Sequence, residues 1–164
     1  MGCSQRIRFR SEVLPSDPAT VRDLVVSTGF FNREEEDIAV ELVDANRMQG
    51  AEKSGYYFLF AEVDGRTVAY SCYGPIHGTQ ESFDLFWIVV SNECRGQGIG
   101  RVVMQETERR IPAMGGHRVY VETSSRDQYD PTRKFYLACG YKVDAVIEDF
   151  YAPGDGKVIL VKVV

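Results

Sequence analysis

The sequence predicts an α/β fold in a single domain, and three observations carry that prediction. First, two runs rich in β-branched and aromatic residues, Tyr56–Val63 and Thr67–Tyr73, flank Asp64-Gly65. That dipeptide accepts positive φ at both positions of a two-residue hairpin turn. Second, segments with apolar residues at helical spacing lie on both sides of this hairpin, so early antiparallel strands are combined with later helices. Third, 164 residues with 44% hydrophobic and 26% charged content fit one domain. A chain of that length buries roughly two-thirds of its unfolded surface without a metal or disulfide staple. It contains no internal repeat, low-complexity tract or linker.

Taken in order, Ile7 and Phe9 alternate with Arg6, Arg8 and Arg10, as in a first strand. Asp17-Pro18 offers an N-cap followed by proline in a first helical turn; Val21, Leu24 and Val25 fall at helical spacing, and Gly29 closes the helix. A second helix starts at Asn32, where Glu34, Glu35, Glu36 and Asp37 favour the positive end of the helix dipole. Its expected buried face is Ile38, Leu42 and Val43. The acidic run reads as a solvated helix start, because cation-ligand spacing is missing. After the hairpin, Gly74-Pro75 and Gly78 break the chain before a strand over Phe83–Val90. A helix from about Gly98 to Ala113 follows, then a strand over Arg118–Thr123 and a short helix from Pro131 to Leu137, ended near Gly140. Strands over Tyr141–Ile147 and Val158–Val163, joined by the Pro153-Gly154-Asp155-Gly156 turn, complete the sheet.

Composition excludes several functions. Nineteen Lys plus Arg against twenty-four Asp plus Glu give a net charge of −5, which argues against a dedicated nucleic-acid binder, since phosphate affinity comes from clustered cations. Cys3, Cys72, Cys94 and Cys139 are scattered, and with only His77 and His117 no zinc-ligand spacing exists. Free thiols in a reducing cytoplasm, and no metal, are expected. The apolar runs Leu85–Val90 and Val158–Val161 have strand length, not the length of a membrane helix, so no membrane partner is expected. There is no charged-then-apolar leader. The start Met1-Gly2-Cys3-Ser4-Gln5-Arg6 is close to a myristoylation signal but has Arg6 where Ser or Thr belongs.

The chemistry concentrates in the stretch from Trp87 to Met104. A buried strand runs out at Val90, a short loop follows, and Gly96, Gly98 and Gly100 then open a helix. First-turn N–H groups lack intrahelical partners and carry partial positive charge. Glycines let a diphosphate approach them without a Cβ in the way. A Walker loop would need Gly-Lys-Ser/Thr, which Gly100-Arg101-Val102 does not supply. A dinucleotide fingerprint would need a third glycine where Arg101 stands, although Glu122 at the end of the next strand is the kind of acid that fold uses. A glycine-rich turn without a ligand is the plainer alternative.

Two motifs resolve the ambiguity by resemblance. Arg95-Gly96-Gln97-Gly98-Ile99-Gly100 is similar to the Arg/Gln-x-x-Gly-x-Gly/Ala signature of the GNAT superfamily of acetyl-CoA-dependent N-acetyltransferases. Phe135-Tyr136-Leu137-Ala138-Cys139-Gly140-Tyr141 resembles that superfamily's Phe-Tyr-x-x-x-Gly-Phe/Tyr signature. The order of elements from Ile7 to Val163 agrees with it. The resemblance implies a mixed, mostly antiparallel sheet of about seven strands flanked by about four helices, in one N-acetyltransferase domain over residues 1–164. It also implies acetyl-CoA as cosubstrate: diphosphate on the amides of about Cys94 through Gly100 with Arg101 for charge, and pantetheine along Ile88, Val89 and Val90. Members of the superfamily form homodimers in some cases, so a homodimer is allowed.

An alkyl amine with a pKa of about 10.4 must lose a proton before attack, and the departing thiolate must gain one. Tyr136 matches the residue that acts as general acid in much of the superfamily; a packing role is its alternative. Asp84, eleven residues before Arg95, lies where some members carry a catalytic glutamate, and could instead only bond across the sheet. Glu122 is the second candidate base and Glu81 the third, while His77 reads as a solvated loop side chain. Many members carry Asn seven residues before the tyrosine, where this chain has Tyr129, so another group must hold the pantetheine. Arg133 and Lys134 could meet CoA phosphates but read as facing water. Cys94 is not placed as a nucleophile, so direct transfer in a ternary complex is expected. The leading acceptor is the primary amine of a small molecule or amino acid. A longer acyl donor, a peptide or protein amine, and a non-catalytic CoA sensor are the other readings. Residues 95–134 hold eight basic against five acidic side chains while residues 1–94 hold eight against fifteen, which suits a polyanionic cofactor at the loop and a cationic acceptor elsewhere.

Overall fold

Asp64 and Gly65 both take positive φ, 50° and 77°, and so reverse the chain between β2 (Tyr57–Val63) and β3 (Arg66–Pro75) as the dipeptide requires. This is a computed structural model that describes residues 6–164. Cys3 and the lipidation-like start lie outside the described residues. The remaining strands are β1 (Arg8–Arg10), β4 (Ser82–Val90), β5 (Arg118–Ser124), β6 (Lys142–Ala152) and β7 (Asp155–Val163). They form one sheet in the order β1-β2-β3-β4-β5-β7-β6. β4 and β5 pair parallel; the β1–β2, β2–β3, β5–β7 and β6–β7 pairs are antiparallel. The helices are α1 (Asp17–Ser27), α2 (Arg33–Gln49), α3 (Ala51–Ser54), α4 (Ile99–Arg110) and α5 (Asp130–Ala138). The α/β class and the mixed seven-stranded sheet agree with the sequence. The one-turn α3, absent from the sequence reading, raises the α-helix count among the described residues to five.

By internal contacts the chain divides into two compact units, one running to Gly74 and including Trp87–Thr107, the other made of Pro75–Phe86 and Glu108–Val164. In the first unit, Phe58, Phe60 and Tyr70 stack with ring centroids 5.7 to 6.2 Å apart. Val21, Leu24 and Val25 of α1, Ala39 and Val43 of α2, and Val89 complete that core. Burying a side chain of this kind contributes about 1.5–3 kcal/mol. On β3, Ser71 lies 2.7 Å from the Thr107 hydroxyl of α4; since Thr107 donates its one proton to the Val103 carbonyl, Ser71 is the donor.

Two local expectations are corrected here and a third is met. Asp17 does not cap α1, since the helix begins on it and Ser16 occupies the cap position. Its carboxylate instead pairs with both terminal nitrogens of Arg10, at 2.8 and 3.0 Å, and accepts from the Leu14 N–H. Ile38 is 42% exposed, because the buried stripe of α2 runs through Ala39 and Val43, four residues apart, with Leu42 at its edge. The acidic start of α2 is the expected one: Asn32 and Glu35 form a reciprocal capping box, each side chain accepting the other's N–H, at 2.9 and 2.8 Å.

The second unit shows clean alternation. Phe83, Leu85, Val119, Val121, Val158 and Leu160 are buried, whereas the intervening Asp84, Tyr120, Glu122, Lys157 and Ile159 are half-buried or exposed. One face of its strands is therefore packed and the other open. Gly116 fits against Ile111 and Phe83. Lys162 ties elements together, its ammonium lying 2.7 Å from both the Glu108 carboxylate and the Cys139 carbonyl. β6, at the sheet edge, is longer than predicted and irregular after Val143 and after Ile147. Among the described residues no helix is long and apolar enough to cross a membrane. Cys72 and Cys139 are free thiols, but Cys94 is disulfide-bonded, against expectation. Separation along a sequence carries no information about which sulfurs meet in space.

Candidate active site

Val90 ends β4, and Ser91 anchors the following turn by donating its N–H to the Val68 carbonyl at 2.8 Å. A 3-10 turn over Asn92–Cys94 comes next. The Cys94 and Arg95 amides bond to the Ser91 and Asn92 carbonyls. Of the amides expected to meet an anion, Cys94–Gly100, these two are therefore committed to the turn. Gly96 and Gly98 have φ of 74° and 80°, and a Cβ on either would meet nothing within 4 Å. The conformation needs glycine while the space beside it stays open, the combination an approaching diphosphate requires. The helix ladder starts with the Val102 N–H on the Gly98 carbonyl, so the amides of Ile99 and Gly100 fall in the first turn, ahead of that bond. Helix α4 begins at Ile99, one residue later than predicted, with Ile99 buried and Arg95, Gln97 and Arg101 exposed. Val89 is buried in the core, and Ile88 and Val90 are half-buried beside it in sequence.

The carboxylates lie in the second unit. Asp84 on β4 sits opposite Tyr120 on β5, and Glu122, two residues on, shares that open face. Lys157 on β7 reaches Glu122 with Nζ 2.9 Å from Oε2 and places the same ammonium 4.0 Å from the centre of the Phe150 ring. Burial and the neighbouring Glu122 charge push the Asp84 carboxyl up to about 6, with Lys157 pulling the other way. A carboxylate that titrates there is ionised at neutral pH yet basic enough to take a proton. Glu81 and His77 are exposed; the Glu81 carbonyl accepts the N–H groups of His117 and Arg118 at 2.8 and 3.1 Å.

Tyr136 is the buried residue of α5. Its ring lies 5.8 Å from that of Tyr141, and its carbonyl accepts the Tyr141 N–H at 3.0 Å. Burial pushes its phenol well above the usual range, so it is protonated at any physiological pH and has a proton to donate. The Arg126 guanidinium lies 5.5 Å from the centre of the Tyr129 ring. Arg133 does not face water: it donates to the Ser124 and Arg126 carbonyls and so pins the Ser124–Tyr129 segment. Lys134 is solvated, pairing with Asp130 at 2.7 Å. No group of three or more His, Cys, Asp or Glu side chains among the described residues is placed to hold a metal ion.

The model of the acetyltransferase (GNAT) family matches residues 19–141 of the chain. The chain belongs to that family. A GNAT-assigned acetyltransferase crystal structure from Desulfovibrio desulfuricans superposes with a TM-score of 0.94 at 42% identity, covering 96% of this chain and 99% of that one. An uncharacterized N-acetyltransferase of Methanocaldococcus jannaschii is 28% identical over 105 residues, which is 64% of this chain and 65% of that relative's length. An aminoglycoside 6'-N-acetyltransferase crystallised with coenzyme A shares the GNAT fold, with a TM-score of 0.73 at 16% identity over 97% of each chain.

Sequence reasoning singled out the glycine loop, Asp84, Glu122 and Tyr136 as candidates. It missed Lys157, which the Pro153–Gly156 turn assigns to a loop end; the strand begins at Asp155, and only the register of β5 against β7 brings this lysine to Glu122.

Proposed function

We propose that the chain is one N-acetyltransferase domain over residues 1–164 that moves an acetyl group from acetyl-CoA to the primary amine of a small molecule or amino acid. The observation that carries this reading is Asp84, a half-buried carboxyl on an open sheet face that titrates at about 6. In this reading the loop amides from Gly96 to Gly100 hold the diphosphate, with Arg101 adding charge and Ile88–Val90 guiding the pantetheine. Asp84 takes the ammonium proton of the acceptor, directly or through water. The amine nitrogen then attacks the thioester carbonyl, the C–S bond breaks as the C–N bond forms, Tyr136 gives its proton to the departing sulfur, and the second proton shed by the acylated nitrogen passes through water to restore the Tyr136 phenol. The coenzyme A held by the aminoglycoside acetyltransferase of the same fold supports the choice of donor.

Direct transfer is favoured over an acyl-cysteine. Cys94 is disulfide-bonded, and Cys72 is fully buried with its thiol pushed up by desolvation. The compartment proposed is the cytoplasm, which keeps thiols such as Cys72 and Cys139 reduced; the Cys94 disulfide is the observation against it. The test is thiol release from acetyl-CoA across an amine panel. Tyr136→Phe is expected to lower kcat by about 10²-fold while coenzyme A affinity stays within twofold. Unchanged kcat at saturating substrates would remove the general-acid role.

A further inference from the structure

We infer that Lys157 is a positioning residue for this chemistry: by binding the Glu122 carboxylate it shields Asp84 from a like charge and sets the pH range in which Asp84 accepts a proton. The inference rests on the reading of Asp84 as the base and adds the residue that controls it.

Three observations combine. Tyr120 stands directly opposite Asp84, and Glu122 follows it on the same face, so the two carboxylates are diagonal neighbours. Their charges disfavour each other across a partly buried surface, where screening by water is incomplete. Lys157 is the counterion, with Nζ 2.9 Å from Glu122 and a side chain 15% exposed. The Phe150 ring covers the same ammonium at 4.0 Å, a cation–π contact that holds it in place. The other charged groups of this face are accounted for. Asp155 on β7 is bonded to Ser124 and lies 3.2 Å from the Arg126 guanidinium. Tyr151 on β6 feels Lys157, Glu122, Asp155 and Tyr129, and its phenol, pushed up mainly by burial, stays neutral. The charges that act on Asp84 are therefore Glu122, which pushes its carboxyl up, and Lys157, which pulls it down.

The sign follows. Without Lys157, the Glu122 charge is uncompensated and Asp84 holds its proton to higher pH. Without Glu122, Asp84 releases it at lower pH. Without both, the two effects largely cancel.

The experiment is the pH dependence of kcat/KM at saturating acetyl-CoA, together with a 13C-carboxyl NMR titration of Asp84, in the wild type, Lys157→Met, Lys157→Arg, Glu122→Gln and the double variant. The acid limb and the Asp84 titration are expected to move up by about one pH unit in Lys157→Met and down in Glu122→Gln. Lys157→Arg is expected to stay at the wild-type position and the double variant to fall between the singles. If Lys157→Met does not fold, Lys157→Gln takes its place. An Asp84 titration that is the same with and without the cation overturns the inference. Should Asp84→Asn keep the wild-type acid limb, the base assignment fails, and the NMR titration still decides what Lys157 does to the carboxyl.

Discussion

Gly116 shows how far single positions are dictated by their neighbours. A Cβ there would lie 2.3 Å from Cγ2 of Ile111 and 2.6 Å from Cδ2 of Phe83, closer than carbon atoms approach without displacement. Gly116→Ala is expected to cost about 1–3 kcal/mol, read as a lower urea midpoint at unchanged slope. Asp84 makes the opposite kind of prediction. Its folded-state carboxyl is raised from 3.8 to about 6 by burial and Glu122, so its contribution to stability is fully present below about pH 4 and is lost as the pH rises through 6. Asp84→Asn should therefore be at least as resistant to urea as the wild type at pH 7, while losing turnover. Both candidate carboxylates were legible in the sequence, because a lone acid within an apolar strand stands out by type alone. Lys157 was not, since its role exists only through the register that places β7 beside β5.

At the scale of elements, the turn and cap chemistry was legible wherever it is local. Asp64-Gly65 and Asn32 with Glu35 each satisfy backbone demands within four residues of themselves, and each appears where predicted. Boundaries failed where a long-range partner decides them. Asp17 was claimed as a cap, but Arg10 on β1 takes its carboxylate. β6 was expected to stop at Ile147, yet it continues to Ala152 through an irregularity in which Asp149 takes φ 52° and accepts the Gly154 N–H. The glycine loop tests the element directly. Gly98→Ala keeps the space free but forces φ 80° on a residue with a Cβ, at a cost of roughly 1–2 kcal/mol. Calorimetric titration with coenzyme A is expected to show at least tenfold weaker binding with a small change in Tm; equal affinity would mean that the loop backbone does not hold the diphosphate.

For the molecule as a whole, exposed cations are spread along the chain, Arg33, Lys53, Arg66 and Lys142 among them, and two lie at the glycine loop. Arg95 and Arg101 flank the glycine loop and are exposed, as a polyanion would require. Fold class and family were legible because hairpin, glycine loop and the Phe135–Tyr141 motif are all short-range patterns in fixed order. The acceptor was not, because no local pattern encodes which residues of separate strands meet. The central claim is amine acetylation with Asp84 as the base. Its most direct test is thiol release from acetyl-CoA at pH 7.5 with a panel of small amines and amino acids, for the wild type and Asp84→Asn. The account predicts amine-dependent release that falls by about 10²-fold or more in Asp84→Asn, with coenzyme A binding retained. Release at equal rates in both proteins, or none from the wild type with any amine, would contradict it.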